Sequence, residues 1–135
     1  LLGSTFIVGG QIRGNPLELY LVYPQGNYIK PADSKPYLVI GEVKYGKPIL
    51  DRVIKPDVSI GDASRCALIS MDSTLKSDLT VGPPIDLAVY KKDENQIASH
   101  KCLNITDDEY SKVCNKWSDG IFKIFDSFPR FDWES

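Results

Sequence analysis

The stretch Tyr37-Leu38-Val39-Ile40-Gly41-Glu42-Val43-Lys44-Tyr45-Gly46-Lys47-Pro48-Ile49-Leu50-Asp51-Arg52 sets an apolar run against a glycine and then against a helical pattern. Residues 37–40 are fully apolar and read as a buried strand that stops on Gly41. From about Tyr45 to Ile54 the apolar residues Ile49, Leu50 and Val53 fall on one helical face, and Pro48 fits the first turn, where no N–H is needed. A buried strand that stops on glycine and runs into a helix is a common place for chemistry. The stop at Gly41 is therefore a place to look for chemistry.

Upstream, Thr5–Ile12 and Leu17–Tyr23 read as two strands around the turn Arg13-Gly14-Asn15-Pro16, which makes a hairpin. The Gly9-Gly10 pair inside the first strand signals a bulge or a close backbone approach. Pro24-Gln25-Gly26-Asn27 is a further turn, and Tyr28–Lys30 adds a short strand. Downstream, Pro56 ends the first helix and Ser59 is the expected N-cap of a second. That second helix carries Ala63, Cys66, Ala67, Ser70, Met71 and Thr74 at helical spacing. A stripe of such small residues implies close packing against a neighbour.

Asp78-Leu79-Thr80-Val81-Gly82-Pro83-Pro84 breaks this helix. Ile85–Tyr90 and Ile97–Leu103 then form a second hairpin around Asp93-Glu94-Asn95. Thr106-Asp107-Asp108-Glu109 has the form of a capping box. The helix after it is expected to bury Tyr110, Val113, Cys114, Trp117, Ile121, Ile124, Phe125 and Phe128, until Pro129 stops it. The order β-β-(β)-β-α-α-β-β-α, with strands in antiparallel hairpins, predicts an α+β layered fold. It is read as a single domain over residues 1–135: strands and two central helices over 1–104, the C-terminal helix over 105–128 and a tail over 129–135.

Composition excludes several classes. The 135 residues are 42% apolar and 25% charged with a net charge of -2, which is ordinary for a globular domain. No Lys/Arg block marks a nucleic-acid surface. Lys91-Lys92 and Lys112/Lys116 read as solvated faces. No apolar run approaches the ~20 residues that span a bilayer, and Leu1-Leu2-Gly3-Ser4-Thr5 has no basic n-region. Cys66 and Cys114 fall on apolar helical stripes and read as core residues. Cys102 and His100 share one side of a strand without two further metal ligands in view. No metal and no cofactor is expected.

Several stretches resemble the bacterial proteasome-related proteases called Anbu, the ancestral β-subunit family, relatives of proteasome β subunits and HslV. They are Val8-Gly9-Gly10-Gln11-Ile12, Tyr23-Pro24-Gln25-Gly26-Asn27, the block from Ile40 to Arg52, Ser70-Met71-Asp72-Ser73-Thr74 and Val81-Gly82-Pro83-Pro84-Ile85-Asp86-Leu87. Trp117-Ser118-Asp119-Gly120 and Asp132-Trp133 are similar too. The resemblance spans nearly the whole chain. It implies the C-terminal part of the αββα sandwich of N-terminal-nucleophile hydrolases, in which two antiparallel sheets lie between helical layers.

Such hydrolases attack an amide with the hydroxyl of an N-terminal threonine, whose own α-amine or a nearby lysine handles the proton. By this resemblance the threonine, the lysine and a supporting aspartate belong to a preceding half, and this sequence starts after them. Leu1 has neither hydroxyl nor thiol, and Ser4 and Thr5 are not terminal. Thr5, inside a strand, lacks the free amine a nucleophile needs.

What carries over is a supporting shell of two turns that steady the nucleophile's amine. Gly41-Glu42 stands at the first, with a carboxylate where the family has a serine. Asp78-Leu79-Thr80-Val81-Gly82 stands at the second, with Asp78 retained, Val81 in the serine's place and Thr80 as the available hydroxyl. Against these roles, Asp78 also reads as an ordinary turn aspartate, and Glu42 with Lys44 as a surface ion pair.

The resemblance further implies a cytoplasmic, self-associating subunit, a homo-oligomeric ring or spiral. The full-length protein would take a peptide or amide substrate, and this chain alone would be inactive. A non-catalytic self-assembling scaffold is the second reading, to which Glu42 and Val81 are suited. A small binding module resting on Phe131 and Trp133 is the third.

Overall fold

In the computed structural model, residues 3–134 are described; Leu1, and the expectation attached to it, lie outside them. The chain forms strands β1 (Phe6–Gly10), β2 (Glu18–Val22) and β3 (Tyr28–Ile29), then helices α1 (Lys47–Val53) and α2 (Ile60–Ser77). Strands β4 (Ile85–Tyr90) and β5 (Ile97–Leu103), helix α3 (Asp108–Asp126) and a 3-10 turn at Asp132–Glu134 complete it. The first three strands make one antiparallel sheet in the order β1-β2-β3, and β4-β5 make a second. The α+β reading of the sequence holds.

The turns explain the ladders. Gly14 and Gly26 sit at φ +84° and +87°, a conformation that favours glycine, and they close the β1-β2 and β2-β3 connections. Asp93 and Asn95 take positive φ in the β4-β5 turn, as these residue types tolerate. One reciprocal pair joins the two hairpins. The Gln11 side-chain amide donates to Asp93 Oδ1 at 2.7 Å, and the Asp93 N–H donates to Gln11 Oε1 at 2.7 Å.

The core lies where α2 and α3 cover β4 and β5. Leu68, Ile85, Leu103, Tyr110 and Cys114 are buried together, with Met71, Leu75 and Leu87 against them. Ser59 caps α2 as expected, its Oγ accepting from the Asp62 N–H at 3.0 Å. Cys66 and Cys114 are both buried and free.

Three expectations are corrected. Residues 37–40 belong to no strand, because no partner among the described residues supplies a ladder for their backbone groups. Tyr37 is held instead by its hydroxyl, which donates to Asp51 Oδ1 at 2.8 Å. The capping box does not form. Asp107 stands at the N-cap without a side-chain cap bond, its Oδ2 accepts from the Asn104 N–H at 2.7 Å, and Glu109 pairs with Lys101.

The third correction concerns α3. Its first half is buried through Tyr110 and Cys114, with Val113 and Trp117 partly covered, but Ile121, Ile124, Phe125 and Phe128 are exposed. The helix outruns the α2 surface that covers its first half, so its apolar stripe continues without a neighbour among the described residues.

Candidate functional site

The two candidate turns sit at the ends of elements that pack together. Gly41 takes φ +81° and reverses the chain into the Glu42 turn, which leads to Gly46, the N-cap of α1. Glu42 Oε1 accepts from the backbone N–H of Lys44 at 2.7 Å. The carboxylate thus engages the Lys44 backbone, and a Glu42–Lys44 ion pair is not among those found in the described residues.

The second turn ends α2. Asp78 is its C-cap, with its N–H donating to the Thr74 carbonyl at 2.8 Å. Its Oδ1 accepts two bonds from one residue, the Thr80 N–H at 2.8 Å and the Thr80 hydroxyl at 2.6 Å. These bonds, the hydroxyl first, hold the Asp78 carboxyl below its ordinary range against a small burial effect, and the nearby Lys44 ammonium adds to them. Asp78 is by geometry a turn aspartate. Val81 closes this turn through its N–H to the Asp78 carbonyl at 3.3 Å, with no hydroxyl to offer.

Gly41 and Glu42 lead into α1, which packs on α2, and Asp78 and Thr80 close α2. A carboxylate such as Glu42 or Asp78 can hold an ammonium by charge-assisted hydrogen bonds. The Thr80 hydroxyl is spent as a donor to Asp78, but its oxygen still accepts.

Sequence reasoning missed two features. One is Gly46, where α1 meets Ser70 and Thr74 of α2 at distances that leave no room for a side chain. The small-residue stripe pointed to a close neighbour without saying which. The other is Asp51, which pairs with Lys35 and Lys47 at 2.7 Å each and accepts from Tyr37. These bonds, Lys35 first, hold Asp51 far below the usual carboxylate range. They pin Lys35 and Tyr37 onto α1.

On the far face of the second sheet, His100 Nε2 lies 3.0 Å from Asp86 Oδ1, beside the exposed Cys102. Among the described residues no group of three or more His, Cys, Asp or Glu is placed to hold a metal, and no helix is long and apolar enough to cross a membrane. Phe131 and Trp133 are exposed and stacked on one another at 5.5 Å.

Solved structures carry the comparison furthest. The chain matches the Anbu (Gly-1) mutant from Hyphomicrobium sp. strain MC1 with a TM-score of 0.92 and 43% identity, covering 96% of this chain and 57% of that one. It matches the structure titled the helical assembly of the Anbu complex from Pseudomonas aeruginosa at TM-score 0.91 and 43% identity, over 96% of this chain and 54% of that one. It matches Anbu from Yersinia bercovieri at 0.90 and 41%, over 93% and 54%. Among curated proteins, proteasome subunit beta 1 of Hyperthermus butylicus is 28% identical over 102 residues, 73% of this chain and 47% of that subunit. No family model matches.

The fold is that of the proteasome-like, N-terminal-nucleophile class. Within that class the chain is similar to the Anbu proteins, ancestral β-subunit relatives of the proteasome. It spans little more than half the length of the Anbu chains it matches.

Proposed function

We propose that this chain is the C-terminal portion of a proteasome-type peptidase or amidohydrolase subunit, in which Gly41, Glu42, Asp78 and Thr80 steady a nucleophile's amine supplied by a preceding portion. The nucleophile is a threonine at a processed N-terminus, and this chain alone does not hydrolyse amides. The observation that carries the reading is the match to Anbu at 41–44% identity along nearly the whole chain, with both turns of the supporting shell on adjoining elements. Two carboxylates beside that place suit an ammonium. The subunit is cytoplasmic and assembles with copies of itself, as the Pseudomonas aeruginosa protein does in its helical assembly. Its substrate is a peptide or another amide.

Intact mass and N-terminal sequencing of the native gene product, followed by an amide-substrate screen, test this. A longer chain that begins with Thr and turns over an amide is expected. A native product beginning at any residue other than Thr, Ser or Cys overturns it.

A non-catalytic, self-assembling scaffold of the same fold is the second reading. It is favoured by one observation: at the second turn Val81 has no hydroxyl, and the Thr80 hydroxyl is turned onto Asp78. Turnover of a generic peptide amide by the native protein would remove it.

A further inference from the structure

We infer that Gly46 is a positioning residue, whose missing side chain lets the Glu42 turn close onto the end of α2 and so sets the separation of Glu42 from Asp78. Gly46 has φ -88° and ψ -38°, open to any residue, so backbone freedom is not why glycine stands there. Space is. A Cβ at this position would lie 2.2 Å from Ser70 Oγ, 3.0 Å from the Ser70 carbonyl oxygen and 3.1 Å from Thr74 Oγ1.

The Ser70 hydroxyl can rotate away, but its carbonyl belongs to the buried face of an 18-residue helix. Thr74 Oγ1 donates to that same carbonyl at 3.0 Å, so the two atoms brace each other. With α2 unable to yield, the strain of an added Cβ passes to α1. Gly82 and Gly120, by comparison, face open space.

From this contact a short path of bonds runs to each turn. On one side the Lys47 N–H donates to the Val43 carbonyl at 3.2 Å, and Lys44 is held to Glu42. On the other the Thr74 carbonyl accepts from the Asp78 N–H, and Asp78 accepts from Thr80. Pushing Gly46 off α2 therefore carries Lys44 and Glu42 away from Asp78. The Lys44 ammonium adds the smallest of the influences that hold the Asp78 carboxyl low, after the two bonds from Thr80.

The inference rests on the proposed function only for its catalytic readout. The test compares Gly46→Ala, Gly46→Ala/Ser70→Ala, Lys44→Met and the control Gly120→Ala in the longest natural form of the protein. The side-chain carboxyl of Asp78 is titrated by carbon-13 NMR, with Asp62 in the first turn of α2 as an internal reference, and amide turnover is measured alongside. Gly46→Ala is expected to raise the Asp78 midpoint towards that of Lys44→Met while Asp62 stays, and to lower kcat about tenfold or more with KM little changed. The double variant, relieved of the 2.2 Å contact but not of the 3.0 Å one, is expected to show the same changes in smaller measure.

A folded Gly46→Ala protein with a wild-type Asp78 midpoint overturns the inference. Should that variant not fold, a wild-type midpoint in the double variant overturns it. A purely structural role would lower the melting temperature and move neither the midpoint nor the split between kcat and KM. If the wild-type protein turns over no amide, the proposed hydrolase fails, while the Asp78 titration still decides the role of Gly46.

Discussion

Asp78 and Tyr110 show how much a single polar atom can decide. Asp78 collects two donors from Thr80 on one oxygen, which keeps its folded pKa below the unfolded value near ~3.9. The sign follows: the stabilisation is present above that unfolded value and is lost as pH falls through the lower folded one. Thr80→Val removes the hydroxyl donor, and the Asp78 midpoint is expected to rise towards the ordinary range in a carbon-13 titration. Tyr110 is the opposite case. The residue is 2% exposed, yet among the described residues its hydroxyl has no oxygen or nitrogen partner, and burial pushes its pKa up. The nearby Cys114 thiol is at best a weak partner. Tyr110→Phe removes an unsatisfied buried group of a kind that costs roughly 1–3 kcal/mol, so it is expected to unfold at a higher temperature than the wild type. Asp78 was legible as a helix-end aspartate because Asp-x-Thr is a local pattern. Gly46 was not, because its reason lies in a distance to residues 24 and more positions away in the chain.

At the scale of elements, periodicity told the truth about faces and not about partners. The stripe on α3 is real along its length, but only its first half meets α2 and β4-β5. The two halves should respond differently to mutation. Leu68→Ala, in the buried cluster that Tyr110 completes, is expected to cost about 2–5 kcal/mol in urea unfolding. Phe125→Ala, at a residue 68% exposed, is expected to stay within about 0.5 kcal/mol. Residues 37–40 failed as a strand for a related reason. An apolar run reads as a strand from composition alone, but a ladder needs a second strand to pair with, and none among the described residues pairs with it. The hairpins and α2 were legible because turn residues and an N-cap are local signals that need no distant partner.

For the whole molecule, the exposed apolar residues include two groups, β1 with Phe6 and Val8, and the end of α3 with Ile121, Phe125 and Phe128. Surfaces of this kind associate. Sedimentation is expected to show oligomers whose population falls when Phe6 and Phe125 are both changed to Ser. Because the contact is apolar, raising salt is expected to leave it intact, whereas an association resting on exposed ion pairs would dissolve. A monomer at all concentrations would remove the assembly reading.

The reciprocal amide–carboxyl pair between Gln11 and Asp93 joins partners 82 positions apart, whereas each hairpin closes within a short loop. Loop-closure entropy makes such a distant clasp a late event, after the local strands and helices have formed. Gln11→Ala should then leave the refolding rate nearly unchanged and put almost all of its effect into faster unfolding. The clasp would govern how long the two sheets stay together, and hardly at all how quickly they meet.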